Sequence, residues 1–190
     1  MTNNLNILTL IFGFIFCVSF GQNSKPNSAD KFLSFLNNYE DDSLRIIVAD
    51  NFKLQRTYTT FANDKKSFLE NYVKDSKVYH GKYRVLKRTE NGNKTEYIVK
   101  DESNYMKYLK ISYPKWIITI LTNNENKIEH MLIDTIGNHQ LYLTQSKQKT
   151  KEFEKWITQK YPTQYLEDMY TNEKKLTALL IEYSKYKNNR

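Results

Sequence analysis

The chain has 190 residues and a net charge of +8; hydrophobic side chains make up 39% and aromatic ones 14%, with 15 Tyr and 10 Phe. That length suits one domain with a terminal extension and can bury a core without metals or disulfides, while so many rings exclude a disordered chain. The positive charge would suit nucleic acid or an anionic surface, but the basic residues are scattered, and neither an RNA-binding signature nor zinc-finger spacing is present.

The densest basic groups, Lys147 to Lys151 and Lys185 to Arg190, fall in a linker and at the tail. The charge is therefore read as a solvated surface echoing an Asn-, Lys-, Ile- and Tyr-rich composition, and no nucleic-acid partner is expected.

The first segment, Ile7 to Phe20, carries no charge. At about fourteen residues it is shorter than the roughly 20 needed to span a bilayer, and it matches the apolar region of a secretory signal. Ser19 and Gly21 place small residues at the −3 and −1 positions of a cut before Gln22. Residues 1–21 are thus expected to be a signal peptide, giving a periplasmic or secreted protein that meets the membrane only through that signal. Cys17 is the only cysteine. Phe16 precedes it where a lipoprotein anchor carries a small residue, so lipid anchoring is not expected. The mature chain then has no disulfide, thiolate nucleophile or cysteine metal site.

Residues 22–28 read as a polar tether. Phe32, Phe35, Leu36 and Tyr39 then make the apolar stripe of a helix that Asn27 or Ser28 can cap. A short helix, "SLRIIVA", follows Asp41 and Asp42. Residues 51–60 alternate as a strand, with Phe52, Leu54, Arg56 and Tyr58 on one side. A third helix begins at Asn63 or Asp64 and buries Phe68, Leu69, Tyr72 and Val73.

From Tyr83 the period is two. Asn91-Gly92 between alternating runs predicts a two-residue hairpin turn, with Lys87 opposite Glu96, Leu86 opposite Tyr97 and Val85 opposite Ile98. Further strands are expected over 105–112, 116–122 and 127–135, with Pro114 marking a turn, edge or bulge. From Ser146 the pattern is helical again: Phe153, Trp156 and Ile157 share one face, Pro162 stops the helix, and Leu176, Leu179, Leu180 and Tyr183 form a last stripe.

Helix, short helix, strand, helix and then a run of strands is an order that resembles the nuclear transport factor 2-like superfamily, with its polyketide-cyclase-like and cystatin-like cone folds. The resemblance covers about residues 29–136 and is carried by "VADNFKLQRTYTTFANDKKSFLENYV" and "TNNENKIEHMLID", though Glu125-Asn126 stands where the closing hairpin usually has Asp-Gly. It implies an α+β fold in which N-terminal helices pack into a curved antiparallel sheet, a cone at 29–145, with residues 146–190 a helical extension. Members include dehydratases, isomerases and epoxide hydrolases as well as non-catalytic modules, so fold does not settle function.

The resemblance makes Asp, His and Tyr inside the cone the groups to weigh. His130 and Asp134 share a face of the last strand but stand roughly 13 Å apart, too far to act as a dyad. They are the catalytic candidates if that face looks inward; Met131 and Ile133 claim the other face. Tyr58, Tyr97, Tyr113 and Trp116 are the ligand-binding candidates: they line an amphipathic pocket or are ordinary sheet aromatics.

His80 and His139 read as turn and loop residues without ligand-spaced neighbours, so no metal is expected. Ser103 and Ser112 lack a nucleophile-elbow context, and the five glycines form no phosphate loop, so no cofactor is expected either. The leading expectation is a non-enzymatic binding or assembly module holding a small apolar or aromatic ligand or a protein partner, with a homodimer open. The alternatives are a lyase, isomerase or hydrolase using an Asp or His base, and a basic module on anionic envelope polymers.

Overall fold

The computed structural model describes residues 27–137, 139–161 and 166–189. The expected signal peptide at 1–21, Cys17, most of the tether and Pro162 lie outside the described residues.

Asn27 caps α1 (Ser28–Asn38): its side-chain oxygen accepts the Asp30 N–H at 2.9 Å. Ala29, Phe32, Leu33 and Leu36 form the buried stripe, and Tyr39 ends the helix in the left-handed region at φ 58°. Next come α2 (Asp41–Ile47) and β1 (Val48–Arg56). A short edge strand, β2 (Ala62–Asp64), pairs antiparallel with β1. Asp64 caps the next helix by accepting the Ser67 N–H at 2.8 Å. That helix, α3, runs through Lys65–Ser67, a wide π turn at Phe68–Tyr72, and Val73–Val78.

The hairpin of β3 (Lys82–Asn91) and β4 (Lys94–Glu102) leads into α4 (Asn104–Leu109). Then come β5 (Lys115–Thr122) and β6 (Ile128–Ile136). Three helices close the chain: α5 (His139–Lys160), α6 (Leu166–Thr171) and α7 (Glu173–Asn188). The sheet order is β2-β1-β6-β5-β4-β3. Its neighbours are antiparallel except β1 and β6, which run parallel, so the curved sheet is mixed.

Two clusters share the interior. In the first, Phe32 and Phe68 from the helices meet Phe52, Leu54, Tyr97, Ile118 and Met131 from the inner face of the sheet. In the second, Met106, Leu109 and Ile111 meet Phe153, Trp156, Ile157, Leu176, Leu180 and Tyr183. The extension thus packs around α4, with the apolar faces read from sequence turned inward.

Four local expectations are corrected. The hairpin register is offset: Asn91 pairs with Lys94, so Gly92-Asn93 is the turn, with Gly92 at φ +60°. The cause lies on β5, where Thr122 donates its N–H to the Asn93 carbonyl at 3.0 Å and accepts the Asn93 amide at 3.1 Å. A bulge at Leu86 then puts Lys87 opposite Ile98, and Glu96 pairs instead with Lys94 at 3.3 Å. Second, 105–112 is no strand: Ser103 accepts the Met106 N–H at 3.1 Å and starts α4, whose Met106 and Leu109 face the extension. Third, β1 begins at Val48 rather than 51, because α2 stops at Ile47. Fourth, the helix expected from Ser146 begins at His139.

Candidate functional site

The inward stripe of each central strand changes character along its length. On β1, Phe52 and Leu54 give way to Arg56; on β4, Tyr97 and Val99 give way to Asp101; on β5, Ile120 and Ile118 give way to Trp116. Alternation puts each successor on the same face as the residues before it. Together with Tyr72 from the π turn of α3 and Tyr83 from β3, these successors wall a cavity of about 730 Å³. Tyr105 of α4 also lines it, together with Tyr142 and Glu154 of α5 and Tyr170 of α6. Such a volume is in the range that holds small organic ligands.

Asp101 is the buried acid of this wall. Burial pushes its carboxyl up from 3.8 to about 6; the Trp116 Nε1–H, donated to Oδ2 at 3.1 Å, and the nearby charge of Arg56 oppose the rise. The Tyr72 and Tyr83 hydroxyls hydrogen-bond to each other, and burial raises both, Tyr72 to about 12. The Arg56 guanidinium lies 5.3 Å from the centre of the Tyr72 ring.

Tyr58 stacks on Trp116 with centroids 5.4 Å apart and planes 15° apart, and His139 lies 4.9 Å from Tyr58 and 5.4 Å from Trp116. Tyr142 meets Trp116 edge-on at 5.9 Å. The result is an aromatic platform beside one titratable carboxyl and one guanidinium.

Of the aromatic candidates read from sequence, Tyr58 and Trp116 line this cavity. Tyr97 lies deeper in the filled core, and its hydroxyl donates to Asp30 at 2.7 Å. Tyr113 packs against the second cluster, with the Lys100 ammonium 4.5 Å from its ring centre. Met131 and Ile133 hold the inner face of β6, which leaves His130 and Asp134 on the outer one. There Asp134 accepts hydrogen bonds from the Thr57 hydroxyl and from the Thr135 N–H, and neither His130 nor Asp134 is among the cavity-lining residues. His80 sits in a turn at φ 53° and reaches Glu173 at 3.0 Å.

The groups that sequence reasoning passed over are Arg56, Asp101, Tyr72 and Tyr83. A signal for two of them was available: Arg56 and Asp101 occupy positions whose parity belongs to an apolar, core-facing stripe. A charge on such a stripe marks a site or a cavity. Among the described residues no cluster of three His, Cys, Asp or Glu could hold a metal. No described helix is long and apolar enough to cross a membrane.

No protein-family model and no curated protein matches the chain. Solved structures do. A protein from Shewanella putrefaciens CN-32, assigned as a SnoaL-like polyketide cyclase, superposes with a TM-score of 0.52 at 8% identity, over 64% of this chain and 84% of that one. An uncharacterized protein with a cystatin-like fold from Silicibacter pomeroyi DSS-3 gives 0.50 at 7% identity, over 74% and 95%. An NTF2-like protein of unknown function from Cytophaga hutchinsonii gives 0.46 at 16% identity, over 63% and 98%. At these identities the likeness establishes the fold alone: an α+β cone of the cystatin-like type.

Proposed function

We propose that this nuclear transport factor 2-like cone binds a small, flat, largely apolar molecule and moves a proton on it through Asp101. The observation that carries the reading is the place of the Asp101 carboxyl in the cavity wall, its Oδ2 on the Trp116 Nε1–H, where burial pushes it up to about 6. A carboxyl in that range is substantially ionised at neutral pH yet basic enough to accept a proton from an acidic carbon, and it can return the proton elsewhere on the ligand. Trp116 Nε1–H orients it. In the Tyr72–Tyr83 pair one hydroxyl donates to the other, which leaves the second with its proton to donate to an oxygen on which negative charge develops. The Tyr58–Trp116 stack offers the flat surface. The assignment of the Shewanella putrefaciens protein as a polyketide cyclase agrees in kind, since closing a ring by attack of a carbon beside one carbonyl on a second carbonyl carbon needs a base to take the first carbon's proton and an acid to return one to the oxygen.

A direct test uses 5-nitrobenzisoxazole, which releases a coloured phenolate when a base removes its carbon-bound proton. Wild-type protein should accelerate the release, with a rate that rises through pH 6. Asp101→Asn should reduce it by roughly 100-fold or more, within the usual contribution of a positioned base. Equal rates in the two proteins would remove Asp101 from the chemistry and leave a binding module without catalysis. The reading also takes residues 1–21 as an export signal. An exported product whose mass begins at Gln22 is the expected result, and a product retaining Met1 would overturn that part.

A further inference from the structure

The cavity contains a cation without a carboxylate partner. Among the described residues, Arg84 and Arg88 each hold a carboxylate, Arg84 that of Glu102 at 3.0 Å and Arg88 that of Asp30 at 2.8 Å. Arg56 forms no such ion pair; it lies over the Tyr72 ring and beside the Tyr58 hydroxyl, half-buried in the cavity wall. A guanidinium drawn away from water needs compensation, and a ring face supplies only part of it. Asp101 feels the Arg56 charge but forms no ion pair with it, its Oδ2 accepting the Trp116 Nε1–H at 3.1 Å instead. The wall at this end is therefore set up for an anion that arrives with the ligand.

We infer that the ligand carries a carboxylate or similar oxyanion, held by Arg56, with its flat apolar body on the Tyr58–Trp116 stack. The inference rests on the reading of this cavity as a ligand site and adds the charge class of what enters it. The planar guanidinium can meet two oxygens at once, and the paired Tyr72 and Tyr83 hydroxyls lie beside it to share them.

The other charged groups of the lining are Asp75, Glu154, which accepts the Tyr170 hydroxyl at 2.8 Å, and the exposed Lys82. Arg56 is the half-buried cation among them, beside the Tyr58 ring that stacks on Trp116, so the charged end of the ligand is directed to Arg56. With that charge neutralised, Asp101 remains available to exchange a proton with the uncharged part of the ligand.

Two dyes test this: 1-anilinonaphthalene-8-sulfonate and N-phenyl-1-naphthylamine, which share a ring system and differ by the sulfonate. Fluorescence titrations at fixed salt should show the anionic dye binding wild-type protein roughly 10-fold or more tighter, the scale of a charge-assisted contact. Arg56→Gln should remove that preference, weakening the anionic dye roughly 10-fold more than the neutral one; Arg56→Lys should restore part of it. Lys53→Gln, which removes the same charge from the exposed outer side of β1, should change neither affinity. Equal binding of the two dyes by wild type overturns the anion preference and leaves the cavity reading intact. An Arg56→Gln variant that weakens both dyes alike also overturns it. Binding of neither dye overturns the inference together with the cavity reading beneath it.

Discussion

The two halves of the cone interior are built from the same sheet and end differently. In one half, the rings of Phe32, Phe52 and Phe68 lie with centroids 4.9 to 6.3 Å apart, and Leu54, Ile120 and Met131 fill what remains. In the other, the same strands present Arg56, Asp101, Trp116 and Tyr83, and a cavity stands open. Phe68 and Tyr72, stacked at 5.6 Å within one π turn, mark the boundary. Apolar rings can close over one another with nothing left to satisfy. Hydroxyl, carboxyl and guanidinium groups need water or a ligand, so packing them to the density of the first half would strand them. A single hydroxyl per ring, and a charge at the end of two apolar stripes, separate a core from a pocket.

The largest effect that would break this comparison is on stability. Phe52→Ala empties a site closed on every side and should cost about 3–5 kcal/mol, read by urea unfolding. Tyr58→Ala removes a ring of similar size from the open half, where Tyr58 is already 36% exposed, and should cost about 1 kcal/mol. Comparable losses at the two positions would mean that the halves are equally packed.

The next effect comes from Asp101. The groups facing it are Arg56, Tyr58, Tyr72, Tyr83 and Tyr142, with Glu102 beside it on β4. The folded carboxyl sits at about 6 against 3.8 for the free group, so the fold favours the protonated form. Its contribution to stability is fully present below about pH 4 and is lost as pH rises through 6; the difference corresponds to at most about 3 kcal/mol. Asp101→Asn should remove this loss. The variant should therefore gain stability relative to wild type between pH 4 and 7 and overtake it at the upper end. A wild-type minus variant difference that stays constant across that range would show that burial does not hold the carboxyl high.

How far the sequence revealed these halves depends on the physics of each. The filled half is periodic, and period is largely legible: Phe32 and Leu36 of α1, the alternation of Phe52 and Leu54, and the helical spacing of Phe68, Leu69 and Val73 are core positions, although α1 also buries Ala29 and Leu33 and leaves Phe35 and Tyr39 only partly buried. Asn27 and Asp64 were readable as caps because their chemistry is local. The hairpin register was not, since the choice between Asn91-Gly92 and Gly92-Asn93 is made by Thr122, distant in sequence. Likewise α4 reads as a strand until Ser103 caps it and the extension supplies partners for Met106 and Leu109. The open half was half-visible. Tyr58 and Trp116 stood out as aromatics, but Tyr97 and Tyr113 looked the same in sequence, and only tertiary packing puts the latter two outside the cavity. Asp101 carried only the parity signal of a charge on the apolar stripe of β4; the rise of its carboxyl comes from burial beside Trp116 of β5, which no local pattern shows.

The smallest effect is the sharpest comparison, because the chemical change is the same in both halves: loss of one phenolic hydroxyl. In the filled half, Tyr97→Phe deletes a hydrogen bond to the Asp30 carboxylate, which also holds Arg88 at 2.8 Å. The bond involves a charged acceptor, and its hydroxyl end borders a surface pocket shared with Asp30 and Arg88, so the loss is that of the charged bond itself. The expected cost is about 1.5 kcal/mol. In the open half, Tyr83→Phe leaves the Tyr72 hydroxyl without its partner, but the cavity beside it can admit a water that takes the partner's place. The expected cost is below about 1 kcal/mol. Paired urea titrations of the two variants decide the matter. A larger loss for Tyr83→Phe would mean that the hydroxyl pair is sealed from solvent, and the boundary between core and pocket would then lie beyond Tyr72 and Tyr83 rather than at Phe68.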